Sequence, residues 1–564
     1  MANSERRVFY IGLNMPGAVS AGAYTAGVLD FLIDALDTWY QAREQQKQKF
    51  GEDFGRWEIP PHEIRLVVMS GASAGGIGSA IAAAALCEDF TPVRALPAPQ
   101  PANRLYASWV EQIDMKYLLG GNDLAGSEAR VESFLDSTQI DHIAQQALVV
   151  TKPRNARREY VEEGLKVILT LTNLKGIPYA IEENAGSAET QTLYHADQQN
   201  FQVFWAQGTA SGGAIALSPH SSQGWPLLQE AAKATSAFPL ALKPRTLART
   251  TMEYNRRKWK MAAKNAKPVN GVCECETFQE MPPQFGTEEH VPFDTLNVDG
   301  GVTNNSPFDC VYNELCQADP KQPIGRPPTS ATEADRAVIS IAPFISTPDF
   351  SLKAPIDAGL LSVAGQLVGT VINQSRIQGE AIRLTKDPNV FSAFHVSPSI
   401  DTTTVHALAS ASLSAFGGFV AQAFRDHDYQ LGRRNCQWFL QQYLGVPLDN
   451  VVMRQYGGLE RFDAPWGMSL PGGARGIRLI PLLDDLKAEV KVTRTQIARS
   501  ALPPVADQAV SRLKLVATKL LAERGANLLI KGGFEAAWLI LQGKIRNALL
   551  DYAGKDLGRE NLIQ

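Results

Sequence analysis

Long apolar runs are scarce in this chain of 564 residues. No window reads as eighteen or more apolar residues in a row, so no transmembrane helix is expected. The start, MANSERRVFYIGLNMPG, has no long apolar segment and no small-residue cleavage site, so no secretory signal is expected. Cysteine is scarce too. Six (Cys87, Cys273, Cys275, Cys310, Cys316 and Cys436) are too few for a disulfide framework at this length. Neither sign of charge dominates. A net charge of −4 and a pI near 6.1 give no polyanion-binding surface, which disfavours nucleic acid as a partner. There is no internal repeat. What remains is ordinary globular composition, 45% hydrophobic and 20% charged, with length for two to four domains. A cytoplasmic protein fits, and a leaderless secreted one would look the same.

The stretch that stands out runs from Ile64 to Leu86, IRLVVMSGASAGGIGSAIAAAAL. Ile64 to Met69 is a β-branched apolar run that reads as a buried strand. Gly71 to Gly75 spell G-A-S-A-G, and an Ala-rich helix follows. Strand, tight turn with a central Ser, helix: a nucleophile elbow needs this context. Gly71 and Gly75 permit the sharp turn and close helix–strand packing. Ser73 would then stand clear of the backbone at a helix N-terminus, which favours negative charge. The other reading is a glycine-rich strand-to-helix turn with an idle Ser.

Upstream, Val8 to Leu13 reads as a strand, Asn14 to Gly22 as a loop of small residues, and Tyr24 to Tyr40 as a helix. Gln41 to Pro61 reads as a solvated connection. Residues 88–158 are broken by prolines, with helices expected at Leu105 to Leu119 and Ile140 to Val150. Such an insertion often forms a cap over a site. Leu165 to Asn173 reads as a strand followed by a Lys-Gly turn, with Gln202 to Trp205 a candidate strand. Thr209 to Trp225 reads as a loop, and a helix in Leu227 to Leu240 is stopped by Pro239.

A second chemical stretch is L-N-V-D-G-G-V-T-N-N-S-P, Leu296 to Pro307. A short strand ends on Asp299, and Gly300 and Gly301 turn the backbone away. A carboxylate at a strand end of an α/β sheet faces the crevice where ligands bind. The alternative is an Asx-turn in which Asp299 caps its own backbone. Ala337 to Pro343 would close the sheet. Cys273, Cys275, Cys310, Cys316 and His290 lack the paired spacing of a strong zinc signal, and no metal is expected. Beyond residue 345, Leu360 to Ile377, Val405 to Ala423 and His427 to Leu444 read as helices. Leu408 to Phe424, apolar on nearly every side, reads as a buried helix or a membrane-touching one. Gly457 to Gly476 reads as a loop and Asp484 to Tyr552 as largely helical.

Four blocks, in order, resemble the patatin-like phospholipase family. They are G-A-Y-T-A-G-V-L (Gly22 to Leu29), G-A-S-A-G around Ser73, A-T-S-A-F-P (Ala234 to Pro239) and D-G-G-V-T-N-N-S-P beginning at Asp299. The resemblance covers Val8 to Pro343. It implies a three-layer α/β/α hydrolase core over residues 1–345, with cap-like insertions near 88–160 and 183–230. A helical extension (346–480) and a C-terminal helical region (481–564) would follow. One departure stands out. The family's G-G-G-x-[RK]-G is here Gly17, Ala18, Val19, Ser20, Ala21, Gly22, so two glycines and the basic residue are absent. A non-Gly residue resists positive φ. P-G-G-A-R-G at Pro471 to Gly476 is nearer the family string but reads as a surface turn.

The resemblance implies a lipid acyl hydrolase of phospholipase A type acting through a Ser–Asp dyad. Ser73 would be the nucleophile and Asp299 the base. Backbone N–H groups of Gly17, Ala18 and Val19 would form the oxyanion hole, and no cofactor would be needed. The implied partner is a phospholipid or other acyl ester, with peripheral membrane contact. The C-terminal helices are candidates for a homo-oligomer or regulatory contact. The rivals are a soluble esterase, lysophospholipase or thioesterase, and a patatin-fold scaffold impaired at the Gly17 to Gly22 loop. An ordinary triad would need a His after Asp299, such as His395, His406 or His427.

Overall fold

A computed structural model describes residues 8–96, 103–126, 129–182, 189–255, 257–262, 276–285, 291–316, 327–343, 359–376, 384, 387, 389–400, 407–456 and 459–564. The strands of the central sheet are β1 (Val8–Met15), β2 (Glu63–Gly71), β3 (Val161–Glu182), β4 (Glu189–Val203), β5 (Ile215–Leu217), β6 (Arg245–Thr250), β7 (Pro292–Asp299), β8 (Arg336–Ile341) and β9 (Ala393–Val396). The longer helices are α1 (Gly22–Phe50), α2 (Ser73–Leu86), α3 (Thr138–Ala147), α4 (Trp225–Thr235), α5 (Phe308–Cys316), α6 (Leu360–Ser375), α7 (Gln422–Gln442), α8 (Leu502–Glu523) and α9 (Leu528–Arg559).

The chain is mixed α/β around a parallel-rich sheet of order β9-β8-β1-β2-β3-β4-β5, with β7 on β3 and β6 on β7. Strands β9 to β3 along this path are parallel, whereas β3 pairs antiparallel with both β4 and β7. Helices cover both faces. Phe9, Ile11 and Leu13 of β1 and Val167 and Leu169 of β3 pack toward α1 and α2. Val68, Ile168 and Val338 pack against Phe308, Val311 and Leu315 of α5. Such near-continuous apolar strands are what a sheet buried on both faces requires.

Helix α1 is the central helix. Val19–Phe50 holds the one window among the described residues long and apolar enough to cross a membrane, with mean hydropathy 1.3, and 94% of it is buried in protein. It packs on α7 at very short range. A Cβ on Gly27 would lie 1.9 Å from the Tyr429 carbonyl oxygen, and one on Gly432 would lie 2.2 Å from that of Tyr24. Between them sit buried charges. Asp30 accepts from Tyr429 Oη at 2.7 Å and Asn103 Nδ2 at 2.6 Å, and it pairs with Arg433.

Several expectations change. The helix beginning at Gly22 does not stop at Tyr40 but runs to Phe50, because Q-A-R-E-Q-Q-K-Q-K are good helix formers that need no buried face. Leu105 to Leu119 is broken into Arg104–Tyr106, a wide turn Ala107–Gln112 and Met115–Leu118. The strand at Leu165 does not end at the Lys-Gly turn. It shifts register between Thr172 and Ile177, with Gly176 at φ +74, and continues against β4. Strand β8 does not close the sheet, since β9 lies outside it, so the sheet continues past residue 345. Leu408 to Phe424 is not one helix. Asp428 accepts the Ala409 and Ser410 N–H groups at 2.8 and 2.9 Å, and Asp556 takes that of Leu413 at 2.6 Å. Side chains thus claim the donors a helix would use. Residues 484–501 hold only short turns before α8 begins.

A methyl group at Gly27 has no room against the α7 backbone. Gly27→Ala should destabilise the protein by roughly 1–3 kcal/mol, seen as a lower urea midpoint at unchanged slope.

Candidate active site

Strand pairing brings Ser73 and Asp299 together. β2 runs parallel to β3 and pairs with it as far as Gly71 opposite Leu169. β7 runs antiparallel to β3 and ends with Asp299 opposite Leu171. The other edge of β3 is filled by β4. β2 and β7 therefore share one edge and end head to head, two residues apart, roughly 7 Å at strand rise. Ser73 leaves the end of one strand and Asp299 is the end of the other.

Ser73 opens α2 with φ +52, a left-handed conformation that a non-glycine residue holds only under tertiary constraint. Three contacts impose it. The Ser73 N–H donates to Thr235 Oγ1 at 3.1 Å. The Ala72 N–H donates to Met15 O at 3.1 Å. A Cβ on Gly75 would lie 2.0 Å from Met15 O, so only glycine lets α2 seat on the end of β1. Gly71 is the last residue of β2, and Gly75 lies in the first turn of α2.

Ser73 Oγ donates to Asp299 Oδ2 at 2.6 Å. The other carboxylate oxygen, Oδ1, accepts the Gly301 N–H at 2.7 Å, so the Asx-turn and the Ser73 contact coexist on one side chain. The Asp299 N–H donates to Ala237 O at 2.9 Å. Gly300 approaches Thr170 too closely for a Cβ, and the Gly301 carbonyl accepts from Ser375 Oγ of α6. Asp299 is 2% exposed. Burial pushes its pKa from 3.8 to about 6, and the hydrogen bonds from Ser73 and Gly301 pull it back only partly.

The Gly17 to Gly22 loop lies against Ser73. A Cβ on Gly17 would be 3.0 Å from that of Ser73. The Gly17 N–H, however, donates to Asn305 O at 3.0 Å and is committed. Of the three loop residues named from sequence, Ala18 and Val19 keep uncommitted N–H groups among the described residues. Val19 has φ +47 at a position where the resembled family has glycine. The next residue explains how: Ser20 Oγ donates to Ala415 O at 2.5 Å and accepts from the Gly418 N–H at 3.1 Å.

A cavity of about 90 Å³ opens on this group. Ser73, Ala74 and Val19 line it, and the rest of its wall is mainly apolar, with Ile77, Trp109, Leu118, Ile143, Phe238, Phe416 and Phe419 among its residues. Residues such as Trp109 and Ile143, together with Phe416 and Phe419, supply much of the wall. Its lining, though not its size, matches that of pockets for apolar small molecules.

Sequence reading missed Thr235, Ala237 and Asn305, although two quoted blocks contain them. The order Thr-x-Ala after α4 and Asn after D-G-G was the available signal. It also missed Ser20 and Phe416, whose roles depend on contacts nearly 400 residues apart. His62, His195 and His427 bond Leu479 O, Asn173 O and Asp428, not Ser73 or Asp299. His290, His406, Cys273 and Cys275 lie outside the described residues. Among the described residues no cluster of His, Cys, Asp and Glu could hold a metal. P-G-G-A-R-G leads into a small antiparallel sheet with Gly445–Pro447 and Gly467–Ser469.

Two outcomes follow from this geometry. Thr235→Val leaves the Ser73 N–H without its acceptor. It should lower stability by about 1–3 kcal/mol and slow labelling of Ser73 by a fluorophosphonate. Asp299 holds a proton in the native state between about pH 4 and 6 that the unfolded chain has released, so stability falls as pH rises through that window. Asp299→Asn should therefore be more stable than wild type by up to about 3 kcal/mol at neutral pH, with the gain vanishing toward pH 4. Thermal melts across that range test it.

No model of a known protein family matches the chain. Among solved structures, VipD from Legionella pneumophila aligns with a TM-score of 0.24 at 10% identity, covering 96% of this chain and 88% of that one, a likeness too low to carry an argument. The uncharacterized protein y4iI of Sinorhizobium fredii (strain NBRC 101917 / NGR234) is 33% identical over 611 aligned positions, covering all of this chain and 83% of that protein. The chain belongs to the same family as y4iI.

Proposed function

We propose that this protein is a patatin-like lipid acyl hydrolase that cleaves phospholipid acyl esters through a Ser73–Asp299 dyad. The observation that carries the reading is the 2.6 Å hydrogen bond from Ser73 Oγ to a buried carboxylate, made by a serine at positive φ on the wall of an apolar cavity. A patatin-fold scaffold without catalysis would have no use for that strained serine.

Ser73 Oγ attacks the ester carbonyl carbon as its proton passes to Asp299 Oδ2. A carboxylate with a pKa near 6 is a better base than a free one, and its desolvation sets that value. The tetrahedral oxyanion would receive the free N–H groups of Ala18 and Val19. It would also meet that of Ala74, whose place in the first turn of α2 gives it no helical acceptor. Collapse expels the alcohol, which takes the proton from Asp299. Water, deprotonated by the same carboxylate, then releases the fatty acid and restores Ser73. The Ile77, Leu118 and Phe419 wall suits an acyl chain, and membrane contact on this reading is peripheral.

Fatty-acid release from phospholipid vesicles should be present in wild type and absent in Ser73→Ala. Asp299→Asn should lose about 10²–10⁴-fold. kcat/KM should fall about tenfold per pH unit below about 6, because only ionised Asp299 accepts the proton. Release that persists in Ser73→Ala would overturn the assignment.

A further inference from the structure

The two C-terminal helices form a hairpin whose α8 arm reaches Gly126 O and the Val131 N–H through Lys519 and Glu523, while the turn and the start of α9 beyond it are exposed. Leu528 and Leu529 are 88% and 85% exposed, and Ile530, Leu539 and Ile540 are more than half exposed. A Cβ added to Gly525, Gly532 or Gly533 would meet nothing within 4 Å. The same hairpin is basic in a chain of net charge −4. Residues 511–550 hold seven Lys and Arg against two Glu. Arg524, Lys531 and Lys544 are exposed and have no ion-pair partner among the described residues.

We infer that hairpin α8–α9 is a docking surface for an anionic lipid bilayer, with Leu528, Leu529 and Ile530 entering the interface and the Lys and Arg side chains meeting the head groups. The combination selects the occupant. A bilayer with acidic head groups offers an apolar layer beneath a negative one, matching an aliphatic tip flanked by cations. A second copy of this chain would set like charges against each other across a two-fold contact. The inference deepens the reading of Ser73 as a lipid hydrolase's nucleophile, and on that reading docking brings the substrate to the enzyme.

The base of the hairpin holds both walls of the Ser73 cavity. From α8, the Arg512 guanidinium donates to Phe134 O at 2.8 Å and Gly120 O at 3.0 Å in the cap, and it pairs with Asp123. From α9, Asp556 accepts the Leu413 N–H, and Tyr552 Oη lies 3.3 Å from Ser414 Oγ. Leu413 and Ser414 precede Phe416, which lines the cavity. A hairpin fixed on a bilayer is therefore in contact with the segments that bound the acyl site.

The test is co-sedimentation of the full chain, carrying Ser73→Ala so that catalysis plays no part, with vesicles of phosphatidylcholine alone or mixed with phosphatidylglycerol. The mixture should bind at least about tenfold tighter, and less so at high salt. Leu528→Glu with Leu529→Glu, and separately Arg524→Glu with Lys531→Glu, should each lose about tenfold or more. On the active background both should keep wild-type melting and hydrolysis of a water-soluble short-chain ester while losing hydrolysis of vesicle lipid. Equal binding of the variants, or no preference for the anionic mixture, overturns the docking surface. So does a wild-type oligomer that dissociates in the Leu528 and Leu529 variant. Vesicle binding with no hydrolysis of any ester by wild type would support the docking surface and overturn the reading of Ser73.

Discussion

One edge of β3 carries two strands that end against each other, and the bond between Ser73 and Asp299 exists because of it. A parallel strand delivers its C-terminus in the direction of β3, and an antiparallel one delivers its own in the opposite direction. Here the change of strand sense along one edge aims the two strand ends at a common point. The antiparallel β4 on the other edge and β6 outside β7 complete the pairing, so neither end is free to drift. The rest of the site is built around that point. Thr235 reaches Ser73 from the end of α4, and Ala237, two residues on, takes the Asp299 N–H. One short segment thus fixes both partners.

The carboxylate at that point is buried. The groups that pull the Asp299 pKa down are the Ser73 hydroxyl and the Gly301 N–H, and neither outweighs burial. A Lys or Arg at this place would stabilise the ion and make it a poorer base. On the proposed reading of Asp299 as a base, the arrangement trades stability for basicity. Positive φ at Ser73 and Val19 belongs to the same trade: local strain held in place by packing.

What could be read from sequence were the features carried by near neighbours in the chain. G-A-S-A-G between an apolar run and an Ala-rich segment specified β2, the elbow and α2, and D-G-G after a short strand specified the end of β7. The failures have two causes. Gln41 to Phe50 carries no apolar period, so its helix was invisible to patterning. Glu189 to Gln198 is polar and pairs with β3 through its backbone. Ala409 to Phe416 is apolar like a helix, but its N–H groups answer to Asp428 and Asp556. In the last two cases distant or backbone partners outweighed local preference, whereas in the first, helix propensity acted without an apolar period.

The loop after β1 shows what replaces a missing glycine. Where the resembled family uses glycine to reach positive φ freely, this chain has Val19, and a β-branched residue does not stay there unaided. Ser20 supplies the aid by bonding Ala415 O and the Gly418 N–H, in a segment where Leu413, Ser414 and Ala415 also have positive φ. Two strained loops, each poor alone, lock on one hydroxyl. Asp556 and Tyr552 of the last long helix hold the second loop in turn. The geometry beside Ser73 is therefore set partly by residues past position 400. The C-terminal third thus helps shape the loop beside Ser73, and the positive φ of Val19 is supported by a hydroxyl whose partners lie nearly 400 residues away.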